Sequence, residues 1–123
     1  MKGAYILLME LIDDEEIEVG KLGTIKFRRG YYAYVGSALN NMEARIKRHL
    51  SKEKKLWWHI DYLLTKAEIK EVICMESDKR EECEIAKKIA KQAKSIKGFG
   101  CSDCKCRSHL FHSQNLKDLT LNH

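Results

Sequence analysis

The apolar positions of this chain change period along its length, and the changes mark its elements. Tyr5 to Leu11 is apolar and β-compatible. Glu16–Val19 and Thr24–Arg28 alternate around Gly20 and Gly23, which predicts a hairpin. Tyr31–Val35, aromatic and β-branched, predicts the next strand. Asn40 or Asn41 can cap a helix whose apolar stripe is Met42, Ile46 and Leu50, with Arg45 and His49 beside it at the rim of a core. Leu56–Leu64 predicts a second helix with Trp57, Ile60 and Leu64 facing inward, and Ile69–Met75 a further strand. Asp78-x-x-Glu81 has the form of a capping box opening a long helix to about Ile96, with Ile85, Ala86, Ile89, Ala93 and Ile96 as its stripe. Gly98 and Gly100 end it. The order predicts one mixed α/β (α+β) domain over 1–123. Its parts are a three-stranded antiparallel sheet with an extra N-terminal hairpin, flanking helices, and a cysteine-containing C-terminal loop with a short tail.

At 123 residues, 44% hydrophobic and 33% charged, the chain can bury a real core. No apolar run approaches the ~20 residues that span a bilayer, so no membrane partner is expected and a cytoplasmic location is. The net charge of +5 is unevenly spread. Arg45, Lys47, Arg48, Lys52, Lys54 and Lys55 cluster in one helix and its exit, Arg28 and Arg29 precede a strand, and the acids gather at Asp13–Glu16. That asymmetry suits one face turned to a polyanion; a solvated lysine-rich surface is the plain alternative. Cys74 and Cys83 read as small buried hydrophobes. Cys101, Cys104 and Cys106, with His109 and His112 close behind, have the ligand chemistry for Zn²⁺; a reduced loop is the alternative.

The richest chemistry lies in Tyr34-Val35-Gly36-Ser37-Ala38, followed by Arg45 and His49. A strand leads through a glycine turn into a helix that carries a guanidinium and an imidazole four residues apart, on one face. The guanidinium suits phosphate oxygens and the imidazole can move protons near neutral pH. Tyr34-Val35-Gly36, with Gly3-Ala4-Tyr5 upstream, resembles the paired motifs of the GIY-YIG nuclease superfamily, and Tyr34–Leu50 is similar to its homing-endonuclease version. The whole chain resembles a short, uncharacterised branch of that superfamily. Its members share Trp58-His59-Ile60-Asp61-Tyr62-Leu63 and a late Ser102-Asp103-Cys104-x-Cys106-x-Ser108-His109-Leu110-Phe111, and some are fused to endonuclease III-type repair proteins. Two departures stand out: one extra residue between Ala38 and Arg45, and a long insertion between Tyr5 and Tyr34.

The resemblance implies a GIY-YIG-like fold and phosphodiester hydrolysis. Tyr5 and Tyr34 would flank the scissile phosphate, one of them activating water, and Arg45, with Arg48 as its rival, would hold the phosphate beside His49. Gly36, Ser37, Arg28, Lys47, Arg48, Lys52 and His59 would face the DNA. Mg²⁺ or Mn²⁺ would sit on a glutamate of a later helix. Among Glu81, Glu82 and Glu84 only Glu82 lies in line with the buried stripe, where a carboxylate needs a metal or Arg45 as partner. Trp57 and Trp58 read as core. Three functions stay open: a metal-dependent endonuclease acting on DNA with a place in repair, a non-catalytic nucleic-acid-binding module, and a cysteine-centred metal-binding protein.

Overall fold

The computed structural model describes residues 2–100 and 106–121. Strand β1 (Gly3–Leu11) pairs antiparallel on one side with β5 (Glu68–Glu76) and on the other with β4 (Gly30–Ala38). Beyond β4 lie β7 (Leu110–Ser113) and the short β6 (Lys94–Ser95), giving a five-stranded sheet in the order β5-β1-β4-β7-β6. Strands β2 (Glu15–Glu18) and β3 (Thr24–Phe27) make the separate hairpin that the alternation predicts. The helices are α1 (Met42–Leu50), α2 (His59–Leu63) and α3 (Glu82–Ala90).

The sheet is buried on both faces, and β1 is its spine. Tyr5, Leu7, Met9 and Leu11 point to the core shared with α1, α2, the hairpin and Phe99. Ala4, Ile6 and Leu8 point to the core shared with α3 and Phe111. An unbroken apolar run is what a doubly covered strand requires.

The α+β class is as expected, but the sheet has five strands rather than three. Its additional strands come from segments read as helix end and tail. The last helix stops at Ala90 rather than near Ile96 because its stripe divides between the two faces. Ala93 packs with Ile85, Ala86 and Ile89, whereas Ile96 joins the opposite core and its N–H donates to Leu110 O at 3.0 Å. Between them the chain pairs with β7, and that pairing overrides the helical period. The capping box does not form: Glu81 is the N-cap, without a side-chain hydrogen bond, and Asp78 pairs with Lys2 at 3.4 Å.

Helix α1 is capped by Asn41, held in the left-handed region at φ 46, whose side chain accepts from Ala44 N–H at 3.2 Å. Its inward stripe is Met42, Ile46 and His49, not Leu50, which is 55% exposed. Seven residues return to within about 20° of the starting face, whereas eight overshoot by about 80°. Helix α2 is only five residues long, and the indoles expected in the core lie outside it, Trp57 at 73% and Trp58 at 36% exposure. Cys74, expected to be buried, is exposed on the edge strand β5.

Gly36 sits mid-strand in β4 rather than in a turn, paired with Tyr5. A Cβ at Gly36 would stand 2.4 Å from the Tyr5 ring carbon Cζ. The glycine makes room for that ring, and an alanine would overpack the site at a cost of ~1–3 kcal/mol.

Candidate active-site cleft

A cleft of about 360 Å³ opens at the Gly36 end of β4. Its walls carry Tyr5 from β1, Tyr34, Gly36 and Ser37 from β4, Arg45 from α1, His59 from α2 and Glu82 from α3. Residues spread over nearly eighty positions of sequence thus meet because β1 and β4 are neighbours and the helices cover their ends. Trp57, Trp58, Arg80 and His109 complete the rim. Arg28, Lys47 and Lys52, expected to face nucleic acid, do not line this cleft. They are exposed, with Arg28 before the far end of β4 and Lys52 in a second cleft below α1.

His49 stands behind the cleft wall. Its Nε2 lies 2.7 Å from the Tyr5 hydroxyl, in a buried pair. Burial drives both groups to their neutral forms. Desolvation pushes the Tyr5 phenol up to about 12 although the Arg45 guanidinium pulls it down, and it drives His49 down to about 4, with Lys54 reinforcing the fall. In the tautomer that carries its hydrogen at Nδ1, the neutral imidazole accepts the phenolic hydrogen at Nε2 and leaves Nδ1 facing inward. That buried atom has no hydrogen-bond partner among the described residues. Tyr34 completes an aromatic wall, its ring 6.3 Å from His49.

The two arginines of α1 divide their roles. Arg48 makes a two-pronged ion pair with Asp61, both N···O distances 2.9 Å, and also donates to Lys55 O. Asp61 is fully buried and accepts from the Trp57 and Trp58 N–H groups as well. Burial opposes its charge, but Arg48 and the two amides prevail and hold the carboxyl below its usual range. Arg48 is thus committed to the scaffold. Arg45 donates Nη1–H to Ser37 O at 2.6 Å, which anchors it at the cleft. Trp58 has both guanidinium groups over its ring, Arg45 at 4.9 Å and Arg48 at 4.3 Å from its centre. His59 Nδ1 accepts from Gly100 N–H at 2.9 Å, which leaves the ring hydrogen on Nε2.

Two places have the chemistry to hold metal. Glu82 lines the cleft with a buried Oε2 that has no hydrogen-bond partner among the described residues, a costly state that a hard cation would relieve. Beside it, Cys83, Cys106 and His109 bring their ligand atoms within 4.8 Å of one another and could hold a metal ion. Cys83 Sγ and His109 Nε2 are 3.7 Å apart, close to the ~3.6 Å between two ligands of a tetrahedral zinc. The His109 backbone is pinned on both sides, its N–H to Phe99 O and its C=O to Val35 N–H. Cys106 and His109 belong to the expected zinc set; Cys101 and Cys104 lie outside the described residues. Cys83, read from the sequence as a buried hydrophobe, is half-buried and takes part instead. Its signal was its place next to Glu82, on the same inward side of the helix start. Asp61 could have been found as the acid at the third position of a short helix.

The His49 shift has a measurable consequence. Between its unfolded value of 6.5 and its folded value of about 4, the unfolded chain binds a proton that the folded one refuses. The contribution is whole above pH 6.5 and is lost as pH falls towards 4, a difference of about 3 kcal/mol. His59, also lowered by burial, adds to the loss in the upper part of that window. Urea unfolding from pH 7 to pH 4 should show this loss in the wild type and a much shallower one in His49→Gln. Equal slopes in both would contradict a buried neutral His49.

Among the described residues no helix is long and apolar enough to cross a membrane. No curated protein and no solved structure matches the chain. The model of one family, described as Domain of unknown function DUF123, matches residues 4–122, nearly the whole length, and the chain belongs to that family.

Proposed function

We propose that this protein is a metal-dependent endonuclease of the GIY-YIG type that hydrolyses phosphodiester bonds in DNA, with repair as its setting. One observation carries the reading. Tyr5, Tyr34, Arg45 and Glu82, the residues its motifs single out, line a single cleft, with His49 hydrogen-bonded behind Tyr5. Glu82 Oε2, buried and without a hydrogen-bond partner among the described residues, supports an enzyme over a binding module, because a catalytic cation would give that oxygen a partner.

Arg45 grips the scissile phosphate, fixed by Ser37 O so that its remaining donors meet the charge that develops on phosphorus oxygens. His59 offers its Nε2–H to the same phosphate. Tyr5 and His49 move the proton. With the phenol near 12 and the imidazole near 4, no phenolate exists at rest, so the transfers are concerted. The attacking water passes a proton to Tyr5 Oη while Tyr5 passes its own to His49 Nε2. The new P–O bond forms as the bond to the leaving sugar oxygen breaks; solvent water protonates that oxygen, and His49, whose imidazolium is disfavoured by burial, gives its proton back to solvent through Tyr5. Mg²⁺ or Mn²⁺ held by Glu82 would supply Lewis-acid stabilisation of the leaving oxygen. Cys83, Cys106 and His109 would hold Zn²⁺, tying the first turn of α3, and with it Glu82, to the start of β7.

Single-turnover cleavage of end-labelled DNA in Mg²⁺ or Mn²⁺ tests the chemistry. Arg45→Ala should slow it roughly 10²–10³-fold and Tyr5→Phe roughly 10²–10⁴-fold, both remaining folded by circular dichroism. Cleavage that survives both substitutions would sink the assignment. For zinc, elemental analysis after desalting should find about one equivalent per chain in the wild type and little in Cys83→Ser. Equal zinc in both would remove Cys83 from the site.

A further inference from the structure

We infer that the rim of the cleft is a stacking platform for an unpaired nucleobase, built on Trp57, so that the preferred ligand is DNA with a single-stranded segment beside its duplex. The inference rests on the proposed DNA-cleaving role and names its substrate class.

Trp57 is 73% exposed, yet it lines the same cleft as Arg45, Tyr5 and Glu82. An indole in water forfeits the burial that usually justifies it. Nor is it carried on a loose loop. The Trp57 N–H donates to Asp61 Oδ2 at 2.9 Å, as does that of Trp58, and Asp61 is itself fully buried and locked to Arg48. A buried carboxylate, two main-chain amides and a guanidinium thus fix the backbone that presents one exposed ring. Trp58 already carries Arg45 and Arg48 over its ring and is half as exposed, so Trp57 is the indole that offers more face to a ligand.

The ligand that fits is planar, aromatic and attached to negative charge. Arg45 and Arg80 share the cleft with Trp57, and Lys55 precedes it by two residues. Bases of an intact duplex hide their faces in the stack; an unpaired base offers its face, and an indole accepts any of the four. A base lying on Trp57 would bring the adjoining phosphate towards Arg45. The cut would then fall near a junction between single and double strands.

The test is binding without cleavage. Affinities are measured with Ca²⁺ in place of Mg²⁺ or Mn²⁺ and without chelator, for a blunt duplex and for the same duplex with a single-stranded tail, using wild type, Trp57→Ala and Trp57→Phe. The wild type should prefer the tailed duplex, and the tail should quench tryptophan emission, since Trp57 and Trp58 are the two tryptophans of the chain. Trp57→Ala should lower tailed-duplex affinity roughly ten- to hundred-fold and bring the tailed-to-blunt ratio towards one, with Trp57→Phe recovering much of it. Equal wild-type affinity for both DNAs, or a Trp57→Ala loss that is equal on both, would overturn the inference. The two readings fail separately. A preserved tail preference without cleavage in any metal would remove the nuclease alone, and cleavage without tail preference would remove the platform alone.

Discussion

Everything in the cleft depends on one close approach, the Tyr5 ring lying against the bare backbone of Gly36. Only glycine lets β1 and β4 stay paired at that point with a tyrosine between them and the covering helix. Once seated, the ring has its hydroxyl against His49, which fixes how α1 lies over the sheet. The lie of α1 in turn sets Arg45 on Ser37 O at the cleft and Arg48 on Asp61 behind it. The helix is amphipathic in an unusual sense: the third position of its buried stripe is an imidazole rather than a leucine.

Burial then sets the chemistry. A phenol and an imidazole in water would each be ready to titrate within a few units of neutrality. Packed together away from solvent, they are held neutral from opposite directions, and the proton between them moves only when a third party supplies the drive. Tuning of this kind costs stability in acid and requires a scaffold strong enough to bear a buried nitrogen that has no partner among the described residues. The doubly covered β1 and the Arg48–Asp61 lock supply that scaffold.

Much of this was legible in the sequence. The hairpin, the central strands and the helix start at Asn41 follow from alternation, β-branching and turn chemistry, because those are local effects. Tyr5, Tyr34 and Arg45 were singled out by the family resemblance and Glu82 by its place on the helix stripe, and all four line one cleft, with His49 behind its wall. The remaining features are decided by tertiary contacts. β6 and β7 are too short to announce themselves and exist because each completes the other's hydrogen bonds on the edge of β4. The stripe beyond Ala90 looked helical because Ala93 and Ile96 keep the period while serving different cores. Trp57 and Trp58 looked like core because indoles usually are; their exposure follows from Asp61 capturing their amides. Cys83 joined the metal-ligand group only because the chain before β7 folds back onto the first turn of α3.

The proposed nuclease activity turns on Glu82, whose buried Oε2 has no hydrogen-bond partner among the described residues and would bind the cation. Mn²⁺ binding to the wild type and to Glu82→Gln, followed by electron paramagnetic resonance in the presence of DNA and paired with cleavage in the same samples, tests it most directly. The wild type should take up Mn²⁺ and cut, while Glu82→Gln should bind DNA with near-normal affinity, take up no Mn²⁺ in the cleft and leave the strand intact. Equal Mn²⁺ uptake and equal cutting by Glu82→Gln would contradict it.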